Sequence, residues 1–295
     1  MHMSEYTLEV CELVKDYGDN RALDHVSFTL THGIYALLGP NGAGKSTLIN
    51  ILCMLLDANE GCVKFNGTDI KKCKKEYLSK VGYMPQQHCL YEDFTLQDYL
   101  YYIGNLKGMK KEAIRQQSED LVRKVKLEDV FHKKLKGFSG GMKQRAMLCV
   151  ALLNDPSILI LDEPSAGLDP LKRMEMQKLI AELSKDKIII FATHVVSDVE
   201  SIADEYLILK KGKLLRKETR KQLVSLLEHK VMEQEVDPLE YQKLKTNNKI
   251  SNVRYDGDKM MIRIIEPKDE GKGIYVSPNI NDVYLYIFDE EHVVL

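Results

Sequence analysis

A run of eight residues near the start of the chain combines three glycines with a lysine and a serine at a spacing that suits phosphate binding. Gly39-Pro40-Asn41-Gly42-Ala43-Gly44-Lys45-Ser46 matches the pattern of Gly, any four residues and Gly-Lys-Ser/Thr, between a predicted strand and a predicted helix. Glycines let successive backbone N–H groups turn inwards and hold phosphate oxygens at the positive N-terminus of a helix. The pattern therefore predicts a nucleotide-binding loop; a glycine-rich turn that binds nothing is the alternative.

The polar side chains at the end of this loop have predicted roles of their own. Lys45 is placed to reach the β and γ phosphates, and the Ser46 hydroxyl is placed to bind Mg²⁺, which prefers oxygen ligands. Thr47 adds a further hydroxyl for the phosphates. The predicted nucleotide contacts of the loop are Asn41, Gly42, Ala43, Gly44, Lys45, Ser46 and Thr47.

Two adjacent carboxylates end a second apolar strand. Asp162 and Glu163 directly follow Ile158-Leu159-Ile160-Leu161, and ligands of open α/β sheets collect at the carboxyl ends of strands. We expect Asp162 to hold Mg²⁺ directly or through water, and Glu163 to orient and deprotonate a water that attacks the γ-phosphate. This arrangement predicts hydrolysis rather than transfer to a bound acceptor. Carboxylates that merely cap the strand are the alternative.

A histidine follows a third apolar strand. His194 comes just after Ile188 to Ala192, so it is predicted at the same edge of the sheet as Glu163. A lone histidine is often only a structural hydrogen-bonding group. Its place in this arrangement favours a catalytic role, in contact with the γ-phosphate and the attacking water.

A second glycine-rich turn precedes a predicted helix. Phe138-Ser139-Gly140-Gly141-Met142-Lys143-Gln144-Arg145 resembles the signature motif of ATP-binding cassette (ABC) ATPases, and the order of motifs resembles such cassettes from about residue 5 to 215. The resemblance implies that ATP lies between the phosphate loop of one copy and the signature motif of a second. Ser139, Gly140 and Gly141 would then contact nucleotide held by the partner chain, and hydrolysis would require the dimer.

The resemblance also assigns roles to three further residues. Tyr17 matches the aromatic residue that stacks on adenine, with a core tyrosine as the alternative. Gln86 matches a glutamine that contacts Mg²⁺ and the attacking water, with Gln87 as a rival. Asp169 is the acidic member of Ser165-Ala166-Gly167-Leu168-Asp169-Pro170, which matches the loop that crosses the dimer interface.

One position departs from the family pattern. Met142 stands where many members have glutamine, and a thioether cannot donate the hydrogen bonds of an amide. The Gly-Gly-Met-Lys-Gln-Arg version resembles the cassettes of bacterial exporters for drugs, peptides and bacteriocins.

A groove that accepts a coupling helix of the membrane partner could be lined by three tyrosines, Tyr99, Tyr101 and Tyr102. Core packing of at least one of them is the alternative.

The periodicity of apolar residues places these motifs in an α/β fold. The predicted class is a P-loop NTPase core with an inserted helical subdomain at about 88–150 and a small α+β module at the C-terminal end. The predicted domains are a cassette over 5–215 and an accessory domain over 216–295, with a linker helix at 219–229 and the α+β module at 231–295. The pattern also predicts helices at 46–56 and 110–126, and a last helix with Ser277 as N-cap and Pro278 in its first turn.

Composition excludes several classes of protein. Forty-two Lys and Arg against 44 Asp and Glu leave a formal charge of −2, which argues against a strongly basic nucleic-acid-binding protein, so no nucleic-acid partner is expected. No apolar run approaches the roughly 18 to 20 residues of a membrane span, and the first residues lack a secretory pattern. Scattered cysteines without a Cys-x-x-Cys pair suit free thiols in a reducing cytoplasm.

The leading hypothesis is a cytoplasmic ATPase that is peripheral on the inner face of the cell membrane. It would bind ATP and Mg²⁺, pair with a second copy and power a separate multi-span permease that exports a drug, a peptide or a similar compound. A soluble ABC ATPase of translation or DNA maintenance, acting as a nucleotide-gated binding module, is the alternative. A P-loop kinase would need an acceptor site and has no use for the signature motif.

Overall fold

The chain folds into two compact units. The computed structural model describes residues 6–87, 89–268 and 273–288. The first unit spans Met1–Lys217 and the second Glu218–Leu295. The predicted starts of the cassette and of the helical subdomain, residues 5 and 88, and the predicted end at 295 lie outside the described residues. Within the described ranges, no helix combines the length and the apolar character that a bilayer crossing requires.

Two sheets and six α-helices form most of the part of the first unit that the structure describes. The strands are β1 (Leu8–Tyr17), β2 (Asn20–Leu30), β3 (Gly33–Leu38), β4 (Glu60–Phe65), β5 (Thr68–Asp69), β6 (Val81–Met84), β7 (Ile158–Asp162), β8 (Ile188–Thr193), β9 (Glu205–Lys210) and β10 (Lys213–Thr219). The helices are α1 (Lys45–Leu52), α2 (Lys74–Lys80), α3 (Leu96–Leu106), α4 (Lys111–Lys124), α5 (Gly140–Leu152) and α6 (Pro170–Leu183). One sheet has the order β2-β1-β4-β5 and the other β10-β9-β3-β8-β7-β6.

The centre of the six-stranded sheet is parallel and fully buried. Every residue of β3, β7 and β8 is buried, because continuous apolar runs of this kind need cover on both faces of a sheet. β8 pairs in parallel with β3 on one side and with β7 on the other, although it follows both in the sequence. The segments that follow these three strands are therefore neighbours at one edge.

The helices between β6 and β7 form the inserted helical part. α3 packs against α4, and α4 against α5. α4 buries Ile114, Leu121 and Val122 at helical spacing and exposes its charged residues. The Thr95 hydroxyl caps α3 by accepting a hydrogen bond from Asp98 N at 3.0 Å.

Three helices are shorter than the pattern predicts. α1 ends at Leu52 rather than residue 56, because Met54 has a φ of 55° and turns the chain, which leaves Leu55 exposed. α4 ends at Lys124, and Lys126 has a φ of 56°. In these two helices a left-handed residue ends the right-handed helix, and apolar periodicity does not report it. The linker helix predicted at 219–229 is the shorter α7 (Arg220–Ser225), after which Leu226 N donates to Leu223 O at 3.2 Å and Leu227 N to Val224 O at 3.1 Å in tight turns.

The described part of the second unit is a sheet with a helix on each face. Its further elements are β11 (Val231–Val236), α8 (Pro238–Asn247), β12 (Lys249–Asp256), β13 (Lys259–Ile265), β14 (Ile274–Tyr275) and α9 (Ile280–Phe288). The sheet order is β12-β13-β11-β14. Tyr241 and Leu244 of α8 pack on Met232, Ile262 and neighbouring apolar residues of one face. Side chains alternate along a strand, so Arg263 of β13 lies on the opposite face.

A buried ion pair attaches α9 to that opposite face. Asp282 is fully buried, and Arg263 donates to both of its oxygens at 2.8 to 3.0 Å. The predicted N-cap, Ser277, is wrong. Asn279 precedes the helix and its Oδ1 accepts from Asp282 N at 2.9 Å, while Asn279 N donates to the Asp282 carboxylate. Pro278 therefore lies before the helix instead of in its first turn.

Candidate functional site

The phosphate loop and the carboxylate pair lie at the same edge of the six-stranded sheet. β3 ends at Leu38, directly before the loop, and Leu38 is in register with Thr193 of β8. Asp162, the last residue of β7, is in register with Ala192 of the same strand. Because these strands are parallel neighbours, their carboxyl ends bring the three following segments together.

Two glycines of the loop are required for steric reasons. Gly44 has a φ of 105°, and a Cβ on it would lie 2.5 Å from the carbonyl oxygen of Ala22. A Cβ on Gly39 would lie 2.3 Å from the carbonyl oxygen of Leu209. Gly44 also precedes α1 and provides no side-chain cap, which leaves the N-terminus of that helix available to an anion.

The Lys45 ammonium is held inside the loop by backbone carbonyls. Its Nζ donates to Gly39 O at 2.5 Å and to Pro40 O at 3.1 Å. Burial lowers the pKa of Lys45 below its ordinary value, and the carboxylates of Glu163 and Asp162 act in the opposite direction. A partly desolvated positive charge attracts an anion more strongly than a charge in water does.

The Asp162 carboxylate is buried and has no hydrogen-bond donor among the described residues. Burial first, and the neighbouring Glu163 carboxylate second, raise the pKa of Asp162 to about 6, while Lys45 lowers it. No group of three or more His, Cys, Asp or Glu residues in the described ranges is placed to hold one metal ion. An unpaired carboxylate beside a phosphate loop is nevertheless a donor that suits a hard divalent cation shared with phosphate oxygens.

The backbone of Glu163 is strained. Its φ of 51° is unusual for a residue with a side chain, and the surrounding hydrogen bonds hold it there. Glu163 N donates to Ala192 O at 2.9 Å, and Glu163 O accepts from Ala166 N at 3.1 Å and from Gln144 Nε2 at 3.3 Å. Gln144 is buried in α5, so the helix that begins within the signature motif is tied to the carboxylate turn. The sequence analysis assigned no role to Gln144, and its position in the signature motif is the one sequence signal that could have pointed to it.

Three donors hold the Glu163 carboxylate at the end of β8. Oε1 accepts from His194 N at 3.0 Å and from His194 Nδ1 at 2.6 Å, and Oε2 accepts from Thr193 Oγ1 at 3.0 Å. The side chain of Glu163 is 8% exposed and that of His194 is 55% exposed. With Nδ1 donating to the carboxylate, the other ring nitrogen, Nε2, is left to face a ligand. The two residues that the sequence placed at one edge are thus in direct contact.

A cleft of about 430 Å³ brings most of the predicted nucleotide contacts together. The predicted residues that line it are Tyr17, Asn41, Gly42, Ala43, Gly44, Lys45, Ser46, Thr47, Gln86, Asp162 and Glu163. Tyr17 is 49% exposed, so the alternative of a core tyrosine is wrong. Gln86 lines the cleft, and its rival Gln87 is not among the lining residues.

Four residues of the cleft were not predicted. They are Asn20, Arg21, Ala22 and Lys211. Arg21 is held by the Asp16 carboxylate, with its Nε 2.9 Å from Oδ1 and its Nη2 3.2 Å from Oδ2. None of the four belongs to a motif. The start of β2 and the turn after β9 reach the phosphate loop only through the tertiary fold.

The signature residues and Asp169 lie outside this cleft. Ser139 is the N-cap of α5, with its Oγ accepting from Met142 N at 3.3 Å, and neither it nor Gly140 is among the residues that line the cleft. Gly141 lines a separate cavity of about 180 Å³. Asp169 caps α6 by accepting from Lys172 N at 3.0 Å. One chain therefore does not bring its phosphate loop and its signature motif onto the same cleft.

The fold and the cleft define the class of P-loop nucleoside triphosphatases, and comparison with known proteins narrows that class. A family model described as ABC transporter matches residues 23–166. An uncharacterized ABC transporter ATP-binding protein of Bacillus subtilis is 38% identical over 70% of this chain and 69% of its own length. The lantibiotic transport ATP-binding protein SrtF of Streptococcus pyogenes is 34% identical over 70% and 89%. The bacitracin transport ATP-binding protein BcrA of Bacillus licheniformis is 36% identical over 70% and 68%.

Solved structures agree with these relatives. The ATP binding subunit of an ABC transporter has a TM-score of 0.68 and 31% identity, covering 74% of this chain and 92% of that chain. A dimeric ATP-binding cassette in a post-hydrolysis state, bound to ADP and Pi, has a TM-score of 0.65 and 25% identity, covering 72% and 98%. The chain belongs to the ABC transporter family, as one of its ATP-binding proteins. The predicted family, the P-loop α/β fold and the ATPase class are confirmed.

Proposed function

We propose that this chain is the nucleotide-binding subunit of an exporter, which dimerises around ATP and drives a separate multi-span permease from the cytoplasmic face of the cell membrane. The observation that carries the proposal is the Glu163 carboxylate, which lies in the phosphate cleft and is held by donors from Thr193 and His194. A fixed carboxylate at that place can orient a water and take its proton. It makes hydrolysis the reaction that this site supports best.

The predicted site residues have separate parts in the proposed reaction. The phosphate loop and Lys45 bind the phosphates, and Tyr17 at the rim stacks on the base. Glu163 accepts the proton of the attacking water as the water oxygen bonds to the γ-phosphorus; the bond from the γ-phosphorus to the bridging oxygen breaks, and ADP is the leaving group. With protons on both ring nitrogens, His194 donates from Nε2 to a γ-phosphate oxygen beside that water, while its Nδ1 keeps the Glu163 carboxylate in place.

The donors present fit a magnesium ion. Ser46, Gln86 and Asp162 line the same cleft, and Asp162 has no other partner among the described residues. They would hold the ion together with phosphate oxygens of ATP. When bound, Mg²⁺ neutralises negative charge on the phosphate oxygens. Binding of ATP itself does not depend on this assignment, because Lys45 and the loop also bind phosphate.

The separation of the two glycine-rich turns supports dimerisation. Ser139 and Gly140 are exposed at the N-terminus of α5 and lie outside the chain's own cleft. A second copy can present them to the γ-phosphate, as the family resemblance implies. Met142 provides no side-chain amide there, so the contact with the nucleotide is made by the helix N-terminus and the Ser139 hydroxyl.

Ser139→Arg is expected to prevent ATP-dependent dimerisation and to leave ATP binding within about threefold, because a long side chain at this turn blocks the partner and not the chain's own cleft. Light scattering after size-exclusion chromatography with ATP, in a Glu163→Gln background, measures the dimer. Ser79→Arg, at an exposed serine of α2, is the matched control and should dimerise normally. A dimer that persists in Ser139→Arg would contradict the proposed sandwich.

The permease and the type of cargo are also part of the proposal. Tyr91 and Tyr102 are exposed by 54% and 39%, and both pack their rings against Phe94. Tyr99 is buried beneath them, in line with the alternative that at least one of the three predicted tyrosines packs inside. Exposed aromatic clusters are common features of docking surfaces. The names of the lantibiotic and bacitracin relatives support a peptide or an antibiotic as cargo.

We expect the full-length tagged chain, isolated from detergent-solubilised membranes, to co-purify with a multi-span protein. Replacing both Tyr91 and Tyr102 by serine should lower that recovery severalfold, since the contact loses its aromatic area. Leu215→Ser, at an exposed apolar residue of β10, is the control. Recovery with ribosomes or DNA in place of a membrane protein would favour the soluble ABC ATPase.

A further inference from the structure

A buried carboxylate lies behind the catalytic edge and has no part in the reaction described above. Asp198 is four residues beyond His194, in the short 3-10 turn Val196–Asp198, and is 1% exposed. Its Oδ2 accepts a hydrogen bond from the Ser165 hydroxyl. Its Oδ1 lies 3.1 Å from Nη1 of Arg173. Three segments of the chain therefore meet at one carboxylate.

Ser165 connects this carboxylate to Glu163. It lies two residues beyond Glu163 and is fully buried, and the turn between them is closed by Ala166 N donating to Glu163 O at 3.1 Å. Leu168 N in turn donates to Ser165 O at 3.2 Å. The loop that begins at Ser165 runs to Asp169, which caps α6. A shift of Ser165 would thus move both the strained Glu163 backbone and the loop.

The hydrogen bond from Ser165 is the better aligned of the two contacts of Asp198. Arg173 Nε and Asp198 Oδ1 are both buried without a hydrogen-bond partner. Arg173 therefore contributes a positive charge near Asp198 and not a bidentate pair of hydrogen bonds. Arg173 is about one third exposed, whereas Asp198 is enclosed. Burial of a carboxylate costs free energy unless it is paired, so its presence between two catalytic segments is not explained by packing alone.

We propose that Asp198 is a positioning residue for ATP hydrolysis: through Ser165 it ties the segment after His194 to the segment after Glu163. These two segments are joined twice. The first contact is between Glu163, which lines the cleft, and His194, and the second is between Ser165 and Asp198. The second contact holds the carboxylate and the imidazole at the separation that the first requires, and it directs the loop that leads to Asp169. This inference rests on the proposed role of Glu163 as the base.

Ser165→Ala and Asp198→Asn test the inference by steady-state ATPase and by equilibrium binding of ATP. Ser165→Ala removes the donor with the smallest change of volume, and Asp198→Asn removes the charge. Each should lower kcat about tenfold, because displacement of a catalytic group by a fraction of an ångström costs rate, while the Kd of ATP stays within about twofold. The double variant should be no slower than the slower single variant, since both changes break the same contact.

Asp155→Asn is the matched control. Asp155 pairs with the buried Lys187 at 2.6 Å, before the start of β7 and at the far edge of the sheet, so its loss should leave kcat unchanged. Values of kcat within twofold of the wild type in Ser165→Ala would overturn the inference, even if Asp198→Asn does not fold. A proportional loss of kcat and ATP affinity, or rate losses that multiply in the double variant, would overturn it as well.

Glu163→Gln separates this inference from the function on which it rests. If Glu163→Gln is inactive while Ser165→Ala and Asp198→Asn hydrolyse ATP normally, the positioning role fails and the proposed function stands. If Glu163→Gln retains its turnover, the proposed function fails and the inference fails with it.

Discussion

Glu163→Gln is expected to lower the steady-state kcat of ATP hydrolysis at least about 100-fold, with ATP affinity within about threefold of the wild type. The amide cannot take a proton from water, so the step that the carboxylate performs is lost. The amide is almost the same size and its oxygen still accepts from His194 N and Nδ1, so the site keeps its shape. Phosphate-release assays give kcat, and equilibrium binding of ATP gives the affinity.

Glu182→Gln is the matched control for this substitution. Glu182 is an exposed carboxylate of α6, outside the nucleotide cleft, and its neutralisation should leave both parameters unchanged. Retention of most of the wild-type turnover in Glu163→Gln would remove Glu163 from the role of base. If ATP affinity fell by the same factor as kcat, Glu163 would instead have a role in ATP binding.

Lys45→Met is expected to weaken ATP binding about 100-fold or more and to abolish measurable hydrolysis at ordinary ATP concentrations. Methionine fills a similar space and removes the positive charge, and charge-assisted hydrogen bonds to phosphate are among the strongest in proteins. Burial already lowers the pKa of Lys45, which means that the fold disfavours the ammonium when no anion is bound. The nucleotide-free variant should therefore melt at the same temperature as the wild type or higher.

Lys185→Met provides the control for charge. Lys185 is exposed just before β8, at the amino edge of the sheet and away from the phosphate loop. Its variant should bind ATP normally in equilibrium dialysis and melt like the wild type. Normal affinity in Lys45→Met, or a large fall in its melting temperature, would mean that Lys45 has a structural role instead of a phosphate-binding one.

The motifs and their order were predictable because local chemistry requires them. The phosphate loop needs Gly44 at a φ of 105° with no room for a Cβ, so glycine is required there in the sequence itself. The buried parallel strands β3, β7 and β8 were recognisable as short continuous apolar runs. Polar residues directly after such runs, Asp162 and His194 among them, were therefore correctly placed at one edge.

Helix ends and contacts between distant segments were less predictable. Left-handed residues at Met54 and Lys126 end their helices early, although neither is a glycine. Asn279, not Ser277, caps the last helix, because the buried Asp282 accepts from its backbone and fixes the first turn there. The positions of these helix ends depend on hydrogen bonds and burial that arise only when the helices and strands pack together.

The sequence alone determined the chemical groups of this protein: a loop that binds phosphate, a carboxylate pair after a buried strand and a histidine after another. The tertiary structure alone decided how they act together. It inserted β8 between β3 and β7, which set the imidazole of His194 on the Glu163 carboxylate, and it placed Gln144, Ser165 and Asp198 around the carboxylate turn. The physical reason is that residue type and spacing specify local geometry, whereas strand order and buried polar contacts form only when the whole sheet and its helices pack together.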